Sequence, residues 1–353
     1  MRVHYDHQIF STQRTGGISQ YFAGLIEWYA KQGEPKISLG FRFYLSEHLG
    51  AGRDRIRIPR FAGSGRLCRF LNEALRPPVR ADVVHSTYYD PRYLCAGGNT
   101  PKVVTVHDMI PELFPAYFAH NPHLAKRAYV EAAKRIICVS HTTKNDLVTL
   151  FGVPEAKIDV IHHGIDLERA RSELAPIARP PRYLLHIGNR AGYKNFGVVL
   201  AAMKKLWAAG CPVALLCVGG GAFSPKERES IGADIGKIAH LHPNDRQVRY
   251  LLKHAVALIA PSLYEGFGFP IIEAFALDCP VVLAAASCFP EIAGDAAIYF
   301  DPRDAQDLAN AIGMLVDDDR LAAKLSAAGR RLVTQYTFAR MAEKTLRTYG
   351  AAL

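Results

Sequence analysis

Paired cysteines, long apolar runs and an apolar N-terminal leader are all missing from this sequence of 353 residues. Its seven cysteines are scattered without a Cys-x-x-Cys pair, which argues against a disulfide framework and a structural zinc site. No run of about 18 apolar residues occurs, so no membrane-spanning helix is predicted. The first residues, Met1 to Asp6, lack the apolar stretch of a signal peptide. We therefore expect a globular protein of the reducing cytosol.

Acidic residues are scarce beside basic ones, with 33 Asp and Glu against 43 Lys and Arg and a formal net charge of +10. The excess is concentrated in one segment whose only acids are Asp54 and Glu73. Its arginines are Arg53, Arg55, Arg57, Arg60, Arg66, Arg69, Arg76 and Arg80. Such a segment attracts phosphate groups, acidic lipid headgroups or nucleic acid. A solvated arginine-rich surface explains the same charge equally well.

Apolar residues at helical spacing lie inside this basic segment. They are Leu67, Phe70, Leu71, Ala74 and Leu75. Two interpretations are open. In the commoner one these residues belong to the hydrophobic core, and in the other they dock on an anionic membrane that holds a lipid-linked glycan.

Short β-rich runs alternate with helical stretches along the whole chain, which is typical of parallel sheets covered on both faces by helices. In the first half, strands are predicted at Arg2–Asp6, Ile37–Leu45, Asp82–Ser86, Lys102–His107, Arg135–Val139 and Ile158–His162. In the second half, they are predicted at Tyr183–Gly188, Val213–Gly219, Ile238–Leu241, Val256–Ala260, Val281–Ala285 and Ala297–Phe300. Helices are predicted at Gly17–Lys31 and Phe118–Lys134, from an N-cap at Ser140 to Leu150, and from Ala305 to the C-terminus.

A proline-rich segment at residues 175–182 separates the two halves. The predicted fold is therefore α/β, with two Rossmann-like parallel-sheet domains facing across a cleft. The first domain spans residues 1–174 and the second spans residues 175–335, and a C-terminal helix of residues 336–353 can cross back to the first. Because ligands of such sheets bind at the carboxyl ends of the strands, the cleft is the expected binding site.

The loop that follows the predicted strand at Val256–Ala260 carries the most chemical information. It leads through Gly268 and Phe269 to a helix predicted to begin at Pro270, a position where proline loses no hydrogen bond. The N–H groups at this helix start are a ready site for a phosphate.

Two carboxylates bracket that phosphate site. Glu273 lies inside the helix and can accept hydrogen bonds from a ribose diol, and Glu265 precedes the glycines and can reach a sugar beyond the diphosphate. The pattern therefore favours a nucleoside diphosphate sugar. Upstream, Arg190 and Lys194 lie four residues apart on a loop entering a helix, where they can converge on one diphosphate.

The Glu-x7-Glu spacing of Glu265 and Glu273, with Gly-Phe-Gly-Phe-Pro between them, resembles the signature of glycosyltransferase family 4. Members of this family are retaining enzymes of the GT-B fold. The segments Cys279–Val282 and Phe289–Ala297 resemble the family's continuation, and the resemblance covers nearly the whole chain.

The opening of the chain resembles enzymes of bacterial O-antigen or capsule assembly, which are often mannosyltransferases. The resemblance implies a nucleotide-sugar donor, with GDP-mannose ahead of UDP- and ADP-sugars, and a glycan or lipid-linked acceptor. It also implies a cytoplasmic enzyme at the inner face of the membrane, with no cofactor and no bound metal.

The resemblance also assigns roles to individual residues. The implied catalytic residues are His107, which would contact the donor sugar and be oriented by Asp108, with Glu265, Arg190 and Lys194. The implied donor-binding residues are Gly16, Gly17, Arg190, Lys194, Gly219, Glu265, Gly268, Phe269, Pro270 and Glu273, and the base would be read near residues 242–244. The chain departs from the family at Asp278, where a glycine is common, and at Ala284–Ala286, which replace a more polar run.

Metal sites are not predicted. His120 and His123 have helical spacing but no third ligand, and the Asp-x-Asp of residues 317–319 is expected to cap a helix.

Other functions remain as alternatives. The nearest is a sugar-nucleotide epimerase or hydrolase on the same fold. A nucleic-acid-binding protein would explain the charge but not the two carboxylates. A nicotinamide-dependent oxidoreductase is disfavoured, because no Gly-x-Gly-x-x-Gly follows a first strand.

Overall fold

The computed structural model describes residues 1–50, 54–75 and 77–353 of the chain. These residues form two compact units, unit 1 from Met1–Gly164 together with Phe338–Leu353, and unit 2 from Ile165–Thr337. The first boundary therefore falls after Gly164 rather than at 174/175, and the second falls after Thr337 rather than at 335/336. The proline-rich segment lies within unit 2, where the N–H of Ala175 donates to the carbonyl of Arg246 over 3.1 Å.

Unit 1 contains the following strands: β1 (Arg2–Tyr5), β2 (Lys36–Leu39), β3 (Phe43–Tyr44), β4 (Ile56–Arg57), β5 (Val83–Ser86), β6 (Lys102–Val106), β7 (Arg135–Cys138) and β8 (Ile158–Val160). Between them lie α1 (Gly17–Gln32), α2 (Ser64–Ala74), α3 (Ile110–Leu113), α4 (Lys126–Ala132) and α5 (His141–Phe151). Six strands form a parallel sheet in the order β2-β1-β5-β6-β7-β8, and β3 and β4 form a separate parallel pair.

Unit 2 begins with α6 (Leu167–Ser172). Its strands are β9 (Tyr183–Ile187), β10 (Ala214–Val218), β11 (Ile238–Leu241), β12 (Ala257–Ala260), β13 (Val281–Ala284) and β14 (Ile298–Phe300). Its other helices are α7 (Phe196–Ala208), α8 (Pro225–Ile231), α9 (Asp245–His254), α10 (Phe269–Ala276), α11 (Phe289–Ala293), α12 (Ala305–Asp317) and α13 (Asp319–Leu332). The sheet is parallel, in the order β11-β10-β9-β12-β13-β14.

The strands form where they were predicted because parallel strands covered on both faces need nearly continuous apolar runs. All four residues of β13, for example, are fully buried. Apart from Ile37–Leu45, every predicted strand is present within two residues of its expected bounds. The prediction of two parallel-sheet units with covering helices is confirmed.

The predicted strand Ile37–Leu45 is wrong, because the chain leaves the main sheet at Gly40 and forms two short strands in different sheets. A Cβ at Gly40 would lie only 2.7 Å from Nε2 of His4, so the chain passes close to β1 at this point. The side chain of Asn72 then accepts hydrogen bonds from the N–H groups of Arg42 and Phe43.

Two predicted helices are also corrected. Phe118–Lys134 is helical only as α4, from Lys126, since Pro122 has no N–H to donate within a longer helix. The tail from Ala305 is three helices rather than one. The side chain of Asp318 accepts hydrogen bonds from the N–H groups of Arg320 and Leu321, which confirms that this acidic run caps a helix.

The last helix, α14 (Phe338–Ala352), belongs to unit 1 and packs against α1 and β7. Within the described ranges, no helix is both long enough and apolar enough to cross a membrane.

A buried hydrogen-bond chain ties α14 to the sheet of unit 1. The hydroxyl of Tyr349 lies 2.7 Å from the hydroxyl of Tyr5 and 2.7 Å from Nδ1 of His85. Nε2 of His85 lies 2.8 Å from Oγ1 of Thr105 on β6. Burial, and to a smaller degree the neighbouring His107, lowers the pKa of His85 to about 3, so this imidazole is neutral at physiological pH. The chain links β1, β5 and β6 to the last turns of the protein.

Replacing Tyr349 with Phe tests this link. The substitution leaves Nδ1 of His85 and the hydroxyl of Tyr5 buried without their partner, which should lower the free energy of unfolding by about 1–3 kcal/mol. Tyr117→Phe is the control, because the Tyr117 side chain is 52% exposed and its loss of a hydroxyl should cost less than about 0.5 kcal/mol. Urea unfolding followed by circular dichroism measures both, and equal midpoints for the two variants would contradict the assignment.

Candidate functional site

The start of α10 lies where the sequence predicted a phosphate site. The helix begins at Phe269, one residue before the predicted start, so Pro270 is its second residue. Gly268 is the N-cap, with φ of 94°, and a Cβ there would lie 2.9 Å from Cδ1 of Ile271. Glycine is therefore required for its backbone conformation and for its lack of a side chain. The N-cap glycine has no side chain to bond the helix start. Pro270 has no N–H, and the N–H of Ile271 donates to the carbonyl of Gly268 over 2.9 Å.

Lys194 and Glu265 form an ion pair, and Glu265 lies four residues before the first residue of α10. Nζ of Lys194 lies 2.6 Å from Oε1 of Glu265, and the two side chains are 20% and 21% exposed. The hydroxyl of Ser262 donates to the same carboxylate oxygen over 2.7 Å. The structure therefore brings together two of the predicted site residues, one of each charge.

The loops that carry this ion pair are held by hydrogen bonds to their backbone groups. The N–H of Leu263 donates to the carbonyl of Tyr193 over 2.8 Å, and the hydroxyl of Ser287 accepts from the N–H of Glu265 and donates to its carbonyl. The side chain of Asn195 donates to the carbonyls of Pro261 and Pro302. Sequence reasoning missed Asn195 and Ser287. Their positive φ angles of 54° mark sharp turns, but no sequence signal distinguished them from other polar loop residues.

Arg190 has different partners from Lys194. Its side chain is only 3% exposed, and Nε donates to Oε1 of Glu227 over 2.6 Å. Nη1 donates to the carbonyl of Gly219 over 2.9 Å and Nη2 to that of Gly221 over 2.8 Å. The guanidinium carbon also lies 4.7 Å from the ring centre of Phe223. Arg190 thus holds the glycine loop, and the expectation that it converges with Lys194 on one diphosphate does not match this geometry.

The partner of Arg190 also caps a helix. Glu227 and Ser224 form a capping box at the start of α8, each side chain bonded to the other residue's backbone N–H. Burial acts to raise the pKa of Glu227, but the hydrogen bonds from Arg190 and Ser224 outweigh it and the pKa lies below its usual value. The carboxylate is therefore charged at neutral pH, as an ion pair requires.

The glycine loop is set by left-handed backbone angles. Gly219, Gly220 and Gly221 have φ of 85°, 70° and 74°. A Cβ at Gly220 would lie 3.1 Å from Nη1 of Arg190. Larger residues would therefore strain the loop and displace the guanidinium.

The segment expected to read the base lies beside this loop. Nε2 of His240 lies 3.0 Å from the carbonyl oxygen of Gly219, and its ring centre is 4.3 Å from that of His242. Asn244 is the N-cap of α9, and its side chain accepts a hydrogen bond from the N–H of Gln247. Its amide is thus committed to helix capping.

Glu273 and Asp278 lie on and just after α10. Glu273 is half-buried in the middle of that helix. Asp278 adopts a φ of 59°, and its carboxylate pairs with Nε of Arg330 at 2.7 Å. Asp278 therefore adopts a left-handed backbone conformation that a glycine would adopt without strain, and its side chain forms an ion pair that a glycine could not form.

In unit 1, Gly16 and Gly17 begin α1, as predicted. The N–H of Gly16 donates to Nε2 of His48, and the side-chain oxygen of Gln13 accepts from the N–H of Ser19. A Cβ at Gly16 would lie 2.7 Å from that same oxygen, so the glycine permits the close approach of Gln13. Sequence reasoning missed Gln13, which occupies one N–H of the helix start.

His107 follows β6 and is enclosed by other rings. Its ring stacks on that of His163 with centres 5.6 Å apart and meets the ring of Tyr21 edge-on at 5.3 Å. Burial, followed by the charges of His123 and Lys126, lowers the pKa of His107 to about 3. Nε2 of His107 is inaccessible and has no hydrogen-bond partner within the described residues. The imidazole is therefore neutral at physiological pH.

Two residues fix the loop after His107. The carboxylate of Asp108 accepts from the N–H of Ile110 over 3.0 Å, which is a turn contact rather than the expected contact with the imidazole. The fully buried ammonium of Lys126 donates to the carbonyl of Asp108 over 2.9 Å and to Glu112 over 2.8 Å. Sequence reasoning missed Lys126, because nothing in the pattern distinguishes a buried lysine from a surface one.

Across the described parts of the chain, no group of three or more His, Cys, Asp or Glu side chains is arranged to hold a metal ion. His123, one of the two histidines at helical spacing, has its Nε2 2.9 Å from the hydroxyl of Tyr88.

Two sequence families match the chain in succession. The family described as Glycosyltransferase Family 4 matches residues 15–169, and the family described as Glycosyl transferases group 1 matches residues 171–332. Together they span both units.

Individual relatives are distant. O-antigen chain mannosyltransferase RfbU of Salmonella typhimurium is 27% identical over 217 residues, which are 60% of this chain and 60% of that protein. O-antigen chain mannosyltransferase B of Escherichia coli is 25% identical over 279 residues, 74% of this chain and 73% of that one. The structure of Anabaena Alr3699/HepE in complex with UDP and glucose superposes with a TM-score of 0.72 at 16% identity, covering 99% of each chain, and therefore shares the fold. The two family matches show that the chain belongs to glycosyltransferase family 4, and the two parallel sheets with this structural likeness show that it has the GT-B fold.

Proposed function

We propose that this enzyme transfers a hexosyl group from a nucleoside diphosphate sugar to a hydroxyl of a glycan or lipid-linked glycan, with retention of the anomeric configuration, in surface polysaccharide assembly. The Lys194–Glu265 ion pair beside the start of α10 carries the proposal. An ammonium matches a diphosphate, and a carboxylate accepts hydrogen bonds from sugar hydroxyls. The N–H groups of a helix start add to the phosphate site.

The proposed reaction is a front-side displacement. The bond between the anomeric carbon and the diphosphate oxygen breaks while the acceptor oxygen bonds to the same face of the sugar. The departing diphosphate oxygen takes the acceptor's proton, so no protein base is needed. Lys194 and the start of α10 would stabilise the charge that develops on the diphosphate. Glu265 and the neutral imidazole of His107 would position the sugar, and Glu273 would accept hydrogen bonds from the ribose.

GDP-mannose is the donor that we propose first, because both of the relatives described are O-antigen chain mannosyltransferases. The UDP and glucose in the Anabaena structure make UDP-glucose the main competitor. We further propose a cytoplasmic enzyme at the inner face of the membrane, since an enzyme with a lipid-linked acceptor works where that acceptor is anchored. The proposed reaction uses no metal ion.

A melting-temperature panel of GDP, UDP and ADP with their sugars tests the donor. A ligand at about 100 times its Kd stabilises a protein by about 2.7 kcal/mol. We expect GDP and GDP-mannose to raise the melting temperature most, and turnover to be unchanged in EDTA. Product analysis separates the alternatives, because a hydrolase releases free sugar and an epimerase a new nucleotide sugar without any acceptor. A chain that binds no nucleotide sugar would refute the proposal.

The ion pair and the helix acid are tested by Lys194→Ala and Glu273→Ala. Each should lower turnover by about 10²-fold or more, because charge stabilisation or ribose contact is lost in the transition state. Lys205→Ala is the matched control, since Lys205 is an exposed lysine of α7 in the same unit. Steady-state kinetics with saturating acceptor measures all three, and near-wild-type rates in both site variants would rule out these roles.

For Arg190 we propose a positioning role, exerted through the glycine loop of residues 219–221. Arg190→Ala leaves Glu227 and two loop carbonyls without their donor and should lower the free energy of unfolding by about 2–4 kcal/mol. Arg190→Lys should not restore it, because one ammonium cannot replace the planar fork of donors.

Lys194→Ala is the comparison for Arg190, because it removes a more exposed ion pair and should cost less than about 1 kcal/mol. Chemical denaturation measures the free energy of unfolding. A raised KM for the donor would show that the glycine loop of residues 219–221 is displaced. An Arg190→Ala protein with unchanged unfolding and lowered kcat alone would instead indicate direct contact with the diphosphate.

A further inference from the structure

Helix α2 packs on unit 1 with its polar face inward. Ser64, Cys68 and Asn72 are buried, whereas Leu67 and Phe70 on the other side are 40% and 64% exposed. Leu67, Phe70 and Ala74 follow at i, i+3 and i+7 and so lie along one face. A helix of a water-soluble unit normally buries its apolar face. The expectation that these positions belong to the core is therefore wrong for Leu67, Phe70, Ala74 and Leu75, all of which are exposed.

The inward face is fixed by hydrogen bonds rather than by apolar packing alone. Oδ1 of Asn72 accepts from the N–H groups of Arg42 and Phe43 over 3.1 and 3.0 Å. Nδ2 of Asn72 donates to the carbonyl of Phe43 over 2.8 Å. These contacts define the rotation of α2 about its axis, so its outer face cannot turn inward without breaking them. Leu71 is partly buried and packs against a small core formed by Leu45, Ile58 and Cys68.

Further exposed apolar side chains lie in the segments that flank this helix in the sequence. Together with Leu67 and Phe70 they are Ile56 at 46%, Phe61 at 49% and Leu75 at 58% exposed. These five come from a single short stretch of chain, and they are five of the eleven large apolar residues that are exposed in the described parts of the protein. Surface apolar residues are normally scattered singly, so this concentration indicates a surface with a partner.

Arginines accompany the apolar residues. Arg57, Arg60 and Arg66 are exposed, and Arg69 is half-exposed. Of the two acids in the segment, Glu73 is engaged by Arg92, with Nη1 and Oε1 2.8 Å apart. Arg53 and Arg76 lie outside the described residues. Positive charge around an apolar patch matches an anionic lipid surface, where arginines meet phosphate headgroups and the apolar side chains enter the acyl boundary.

We propose that this surface, formed by Ile56, Phe61, Leu67, Phe70 and Leu75 with Arg57, Arg60, Arg66 and Arg69, docks the enzyme on an anionic membrane. The proposal deepens the proposed function, because a docked enzyme meets a lipid-linked acceptor in two dimensions. A nucleic acid would match the arginines but not the apolar residues. A second copy of the chain would carry the same positive charge and be repelled.

Vesicle sedimentation tests the docking surface. The full-length protein should sediment with phosphatidylglycerol-containing vesicles and not with pure phosphatidylcholine vesicles, and less as salt rises. Leu67→Ser with Phe70→Ser should weaken binding about tenfold or more, because two inserting side chains are lost. Arg66→Gln with Arg69→Gln should weaken it similarly, at about fivefold for each charge.

Matched controls separate this surface from general effects. Leu124→Ser removes an apolar residue of unit 1 that is 85% exposed, and Arg320→Gln with Arg331→Gln removes two exposed arginines of unit 2. Both controls should bind vesicles like the unaltered protein. Circular dichroism and melting temperature should match across all variants, since the altered side chains are exposed or half-exposed.

Three outcomes would overturn the proposal. They are equal binding to both vesicle types, binding unchanged in the Leu67 and Phe70 double variant, and a dimer in light scattering that this double variant abolishes. The donor melting-temperature panel is independent of vesicles. Failure of that panel with vesicle binding intact would refute the nucleotide-sugar function and leave the docking surface standing.

Discussion

The amide of Asn195 holds together three loops at the carboxyl edge of the sheet in unit 2. It donates to the carbonyls of Pro261 and Pro302 over 3.2 and 2.7 Å, and its left-handed backbone, with φ of 54°, turns the chain into α7. Lys194 immediately precedes it. An ion pair of this exposure contributes little to stability by its own attraction. The position of Lys194 against Glu265 is therefore set by the neighbouring backbone contacts.

The architecture was readable from the sequence because parallel strands buried on both faces demand apolar runs of limited length. The glycine-bearing loop before α10 was predicted too, and Gly268 there has a φ of 94°, which other residues rarely adopt. It failed where long-range contacts decide local structure. The Ile37–Leu45 run is apolar enough for one strand, and it is divided by the approach to His4 and by the side chain of Asn72, both distant in sequence.

The site was predictable in its residue types and less so in its partners. Lys194 and Glu265 form an ion pair, and α10 begins four residues after Glu265. Arg190 has the same charge as Lys194 and a similar place in the sequence, yet its side chain is buried in carbonyl contacts. A sequence shows that a cation is present, but whether the cation faces a ligand or the protein depends on burial. The inverted polarity of α2 was hidden for the same reason, since helical spacing identifies a face without saying which way it points.

Unit 1 is assembled from both ends of the chain, which has a consequence for His107. The hydroxyl of Tyr349 in α14 lies within hydrogen-bond distance of His85, and His85 lies within hydrogen-bond distance of Thr105. Thr105 is in β6, and His107 directly follows that strand. Helix α14 also covers Tyr29, whose hydroxyl donates to the carbonyl of Ala342 over 2.7 Å. The support beneath His107 therefore includes contacts that span most of the sequence, and closing so long a loop costs more chain entropy than closing a short one. The buried hydrogen-bond chain through His85 and Thr105, on the strand that leads to His107, is therefore complete only when the last helix is in place.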